Sequence, residues 1–123
     1  MAHLHSDVTV TGNTKTTMVR MLVDTGATYS VIPKGIARAV GITPQRSLKV
    51  RMTLPDGRRR NLEASAALFR IGHREAPGTI LVGDVVEPVL GVSTLDALEL
   101  AVDSGGRKLI ATRPYTVRLT GYR

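Results

Sequence analysis

Residues 22–30 read LVDTGATYS, which sets Asp24 directly behind the apolar run Met21-Leu22-Val23 and directly ahead of Thr25-Gly26. A carboxylate ending an apolar segment is costly to bury unless hydrogen bonds or a partner compensate it. Once compensated, it can exchange protons with a reacting group. Asp, Thr and Gly all favour turns, so the triplet by itself reads equally well as a loop. Its surroundings distinguish it, because Ala27-Thr28 follow and Val31-Ile32 re-enter an apolar segment. The other chemistry-bearing residues are less organised. The chain has no cysteine, which removes thiol catalysis and disulfides. Asp96, Glu99 and Asp103 are loosely spaced with no histidine among them, a pattern of solvated positions more than of a metal site. His3 and His5 fall in an expected frayed terminus and His73 in a polar loop, so no metal ligand or cofactor is assigned. PDGRRR, residues 55–60, reads as an exposed hairpin turn before it reads as a phosphate site.

The elements that must position Asp24 are mostly strands. DVTVT and TTMVRMLVD predict two strands around a turn at Gly12-Asn13, with Met18 and Leu22 on the buried face. From residue 47 to 71, Leu48, Val50, Met52 and Leu54 alternate with polar residues, Asp56-Gly57 suits a tight turn, and Leu62, Ala64 and Ala66 resume the alternation. GHREAPG is expected to be a loop and TILVGDVV another strand. Two short helices interrupt the pattern. PKGIARAVG has Pro33 at its start, Ile36, Ala37 and Val40 at helical spacing, and Gly41 as its stop. In GVSTLDALEL, Ser93 and Asp96 have the spacing of a capping pair, with Leu95, Ala97 and Leu98 facing inward. Strand character returns after Gly105-Gly106. The class is mainly β, and 123 residues make one domain with a core about 7–115.

Composition narrows the partners. The net charge is +7, yet most of the 13 arginines are scattered, with only Arg58, Arg59 and Arg60 contiguous, as on solvated strand faces. Four aromatic residues leave little to stack bases on, so no nucleic-acid partner is expected. No run of eighteen apolar residues occurs, because Asp84, Glu87 and Pro88 break the longest stretch, and no membrane partner is expected. MAHLHSDV lacks the basic start and apolar core of a signal peptide, which predicts a cytoplasmic protein.

LVDTGATYSVIP resembles the active-site signature of the retropepsin-like aspartic proteases, and PVLGVSTLDALEL resembles their second landmark, the apolar-apolar-Gly segment entering the C-terminal helix. The likeness is nearest to the small single-domain prokaryotic members, echoed by Leu90-Gly91-Val92 through LDALELAVD. It implies a closed β-barrel of the acid-protease half type with a flap hairpin. It also implies why one aspartate suffices: the chemistry needs two carboxylates sharing a proton, so a homodimer would bring two copies of Asp24 to its axis.

By the same resemblance, Asp24 would act as general acid and base, Thr25 would reach across the axis, and Gly26 would permit the turn and offer its carbonyl to an extended peptide. Leu22, Gly26, Ala27, Thr28, Val31 and Val89 would form the substrate site, closed over by the hairpin tip Pro55-Asp56-Gly57. Ala27 stands where pepsin-type enzymes carry a serine hydrogen-bonded to the carboxylate, which implies a weakly acidic optimum. Val92 and Thr28 stand where retroviral members often place an Arg and an Asp. The implied activity is that of an aspartic endopeptidase without cofactor or metal. One alternative keeps the fold as a noncatalytic dimerisation or peptide-binding module. Another, a basic RNA-binding barrel, would leave Asp24 a turn residue and predict salt-sensitive RNA affinity.

Overall fold

The structure, a computed structural model, describes residues 3–43, 45–53 and 57–113, with the side chains of 45–47 excepted. Leu54, Pro55, Asp56 and the C-terminal segment YTVRLT lie outside the described residues. In chain order the elements are β1 (His5–Thr11), β2 (Thr16–Val23), β3 (Ser30–Pro33), α1 (Lys34–Val40), β4 (Gln45–Thr53), β5 (Arg59–Ile71), β6 (Arg74–Gly83), β7 (Val89–Leu90), α2 (Val92–Ala97), β8 (Leu100–Val102) and β9 (Leu109–Ala111).

Seven strands form one sheet in the order β1-β2-β7-β3-β6-β5-β4, and β8 pairs with β9 in a second. β1 also pairs with β5 through Thr9↔Arg70 to Thr11↔Leu68, so the pairings run through six strands and return to β1. β4 continues from β5 as the sheet's edge. The two-residue β7 is the pivot. It lies parallel to β2 (Leu22↔Val89, Val23↔Leu90) and antiparallel to β3 (Val31↔Val89).

Burial divides across this sheet. One face packs a large cluster that includes Val8, Val10, Val19, Met21, Ile32, Phe69, Ile80, Val82, Leu90, Leu95 and Leu98. The other carries a smaller cluster of Ala27, Val31, Met52, Leu62, Ala64, Leu81 and Val89. Because side chains alternate along a strand, adjacent residues go to opposite clusters: Val31 and Ile32, Leu81 and Val82, Val89 and Leu90. Strands covered on both sides read as unbroken apolar runs, as SVIP and TILVG do.

Several expectations are corrected by this two-sided burial. Met18 is 66% exposed, because Val19 and Met21 take the large-cluster face while the face Met18 shares with Leu22 is covered only near β7. Along β5, Leu62 and Ala64 enter the small cluster but Ala67 and Phe69, of opposite parity, enter the large one. Ala66 falls at the crossover and is exposed. The expected loop GHREAPG shrinks to a turn at Gly72-His73, since Ile71 already pairs with Arg74 and the rest extends β6. His5 is not frayed, because it opens β1 and its Nε2 lies 2.9 Å from Glu87 Oε2.

Neither helix is long enough to stand alone, and both depend on burial of a few residues. α1 buries Ala37 and Val40 and ends on Gly41 at φ 74°, a left-handed cap where the β1–β2 turn approaches so closely that a side chain would overlap Thr14. α2 is capped by Gly91 rather than Ser93, and it buries Thr94 and Leu95 while Ala97 is exposed. Leu100 already belongs to β8, so the second helix is shorter than its sequence pattern.

Candidate active site

Asp24 is delivered by the pairing of β2 with β7. Leu22 N–H donates to Pro88 O at 2.9 Å and Asp24 N–H to Leu90 O at 3.0 Å, so the chain is bonded up to the aspartate itself. There it leaves the sheet in a tight turn, with Ala27 N–H donating to Asp24 O at 3.1 Å. The Gly26 N–H donates to Asp24 Oδ1 at 2.9 Å, which aims the carboxylate along the loop. Asp24 is half-buried, Thr25, Gly26 and Thr28 are exposed, and Ala27 is buried.

The loop is then fastened to α2. The helix begins with backbone N–H groups that have no partner inside it. Here Val92 N–H donates to Ala27 O at 2.8 Å and Ser93 N–H to Thr28 O at 2.9 Å. The main chain thus joins the loop to the start of α2. Beneath it, fully buried Ser30 shares a 2.6 Å hydrogen bond with Thr94 Oγ1, and its Oγ accepts the Gly91 N–H at 3.0 Å. A side chain at Gly91 would overlap the Tyr29 carbonyl and the Ser30 nitrogen. Glycine is required there because two backbones pack against each other with no room for a Cβ.

A cleft of about 250 Å³ lies between this loop and the edge strand, lined by Gly26, Ala27, Thr28, Tyr29, Val50, Arg51, Met52 and Thr53. Three expected substrate residues, Gly26, Ala27 and Thr28, are on its wall. Leu22, Val31 and Val89 are not, being 8%, 0% and 2% exposed; Val31 and Val89 belong with Ala27 and Met52 to the small cluster. Gly57 is exposed at φ 86°, as a tight turn demands, while Pro55 and Asp56 lie outside the described residues. Tyr29, Arg51, Met52 and Thr53 are additions that sequence spacing did not single out. The alternation of Val50 and Met52 marked an inward face but not what it faced. Ser30 and Thr94 left one faint signal, hydroxyl residues inside apolar segments.

The acidic residues weighed as metal ligands have other roles. Asp103 Oδ1 accepts the N–H groups of Arg107 and Lys108 at 2.9 and 3.4 Å, bracing the β8–β9 turn. Glu99 Oε2 lies 3.1 Å from Arg113 Nε, and Asp96 is exposed on α2. No group of three or more metal-binding side chains occurs among the described residues.

Over residues 7–97 the chain matches the family model described as "gag-polyprotein putative aspartyl protease". No curated protein matches it in sequence. Among solved structures it is similar to the EIAV protease complexed with the inhibitor HBY-793, at 20% identity and a TM-score of 0.62, covering 89% of this chain and 93% of that one. No helix among the described residues is long and apolar enough to cross a membrane. With the family model spanning most of the chain and the fold matching a retroviral protease, the protein belongs to the gag-polyprotein aspartyl protease family and has the retropepsin-like fold.

Proposed function

We propose that the protein is an aspartic endopeptidase active as a homodimer, in which the Asp24 carboxylates of two chains activate one water between them. The observation that carries this reading is the fastening of Asp24: its main chain is bonded to β7, its Oδ1 accepts the Gly26 N–H, and the cleft begins two residues later. A carboxylate oriented in this way, beside a cleft of about 250 Å³, is equipped for acid–base work on a peptide.

In the dimer, two neighbouring carboxylates cannot both ionise readily, so one stays charged and the other neutral. The charged one takes a proton from water as its oxygen attacks the peptide carbonyl carbon. The neutral one gives its proton to the carbonyl oxygen, and collapse of the resulting gem-diol, with a proton passed to the departing nitrogen, breaks the C–N bond. Thr25, exposed next to Asp24, would reach across to the second chain, and Gly26, also exposed, would present its carbonyl to the substrate. Gly57 and its neighbours would close over the bound peptide.

The decisive experiment is cleavage of a diverse peptide library between about pH 3 and 8, read by mass spectrometry for wild type and Asp24→Asn. Cuts made only by the wild type, with a dimer in sedimentation equilibrium and a maximum at weakly acidic pH, are expected. A maximum below about pH 3 would overturn the role given to Ala27. A folded dimer that cuts nothing would make the protein a noncatalytic peptide-binding module.

A further inference from the structure

We propose that Arg51 selects peptides carrying an acidic side chain at one position of the bound strand, a reading that deepens the protease proposal and rests on it. Of the eight residues lining the cleft, Arg51 alone carries a formal charge. It sits on β4, the edge of the seven-stranded sheet, which among the described residues is paired only with β5. The outer edge of β4 therefore offers its backbone groups to an added strand.

Strand addition fixes what an added residue meets. Opposite side chains on neighbouring strands share a face, with Cβ atoms about 4.5–5.5 Å apart. On the β5 side, Arg51 faces Asn61, with Lys49 facing Glu63 and Thr53 facing Arg59. The residue across from Arg51 inside the protein is thus neutral, and of its two diagonal neighbours on β5 one is the cation Arg59 and the other is Glu63, which stands opposite Lys49. Arg51 is exposed and makes no ion pair among the described residues. A peptide on the free edge places one side chain opposite Arg51 from the other side. A carboxylate there completes a cross-strand pair that β5 leaves open, whereas a lysine or arginine there adds to a row of like charges.

The test competes extended peptides identical except for Glu or Lys at one scanned position, measured as cleavage by the wild type and as fluorescence anisotropy with Asp24→Asn. The expected preference for Glu is about two- to fivefold, the scale of an exposed ion pair, and it confines itself to one position. It shrinks as ionic strength rises. In Arg51→Gln the Glu-to-Lys ratio falls toward one, and in Arg51→Glu it inverts; a ratio is insensitive to the fraction of protein that is folded. Equal use of both peptides by the wild type, or a preference that survives Arg51→Gln, overturns the proposal. Preferential binding without any cleavage sinks the protease reading and leaves the selectivity standing, while cleavage without preference does the reverse.

Discussion

The loop at 24–30 and the hairpin of β4 and β5 face each other across the same cleft, but they are held in opposite ways. Asp24, Ala27, Thr28 and Ser30 are each tied by hydrogen bonds to β7, Gly91 or α2, and Gly91 leaves no space for even a methyl group. The hairpin is joined to the sheet along one edge, its register shifts between Gln45 and Lys49, and Leu48 is 56% exposed. The difference teaches where each task is placed. In the proposed reaction, acid–base chemistry depends on sub-ångström placement, and Asp24 lies in the loop that the main-chain bonds hold. In the same proposal, recognition of an extended peptide needs an open backbone edge, which β4 offers at the end of the sheet order among the described residues.

The comparison breaks first at its constrained side. Asp24→Asn retains an Oδ1 acceptor for the Gly26 N–H, so the fold and its denaturation midpoint should hold while kcat/KM falls by about 10³-fold, the scale of a lost acid–base group. A parallel loss of stability would mean that the carboxylate serves the fold and not the reaction. Gly91→Ala should act through packing, costing about 1–3 kcal/mol in urea unfolding and reducing activity with it, as expected of an overpacked interior. Unchanged stability would show that the loop and α2 are less tightly joined than their geometry indicates. Ser30→Ala strips a buried partner from both Thr94 and the Gly91 N–H and should cost about 1–3 kcal/mol. Combined with Thr94→Val in a double-mutant cycle, it should show coupling of about 0.5–1.5 kcal/mol, and additive costs would deny that the hydroxyls act together. On the open side, Leu48→Ser should change stability by no more than about 0.5 kcal/mol, because the side chain already lies in solvent. A larger loss would place Leu48 in a buried contact, such as a dimer interface.

Much of this was legible in the residues. Asp24 stood out because a carboxylate after Met21-Leu22-Val23 has to be compensated, and the Gly26 N–H is a donor that its Oδ1 finds. Gly41 and Gly57 were readable as stops and turns because their positive φ angles are a local property of the backbone. The failures share one cause. Met18, Ala66 and Ala97 were assigned inward on period alone, and each is exposed where the cover on that face ends. Ser93 has the spacing of a cap, but the helix already begins at Val92 behind Gly91, where the N–H groups of Val92 and Ser93 are taken by the carbonyls of Ala27 and Thr28 from more than sixty residues away.

By itself, the sequence determined the mainly β class, the isolated aspartate at the end of an apolar run and the glycines that let the chain turn, because these follow from local propensity and from the cost of an uncompensated charge. Only the tertiary structure decided which face of each strand is covered, that Ser30 meets Thr94 beneath the loop, and that Arg51 stands at the cleft with no ion pair among the described residues. Those outcomes depend on pairings between distant segments, and strand periodicity says which residues share a face without saying what that face will meet.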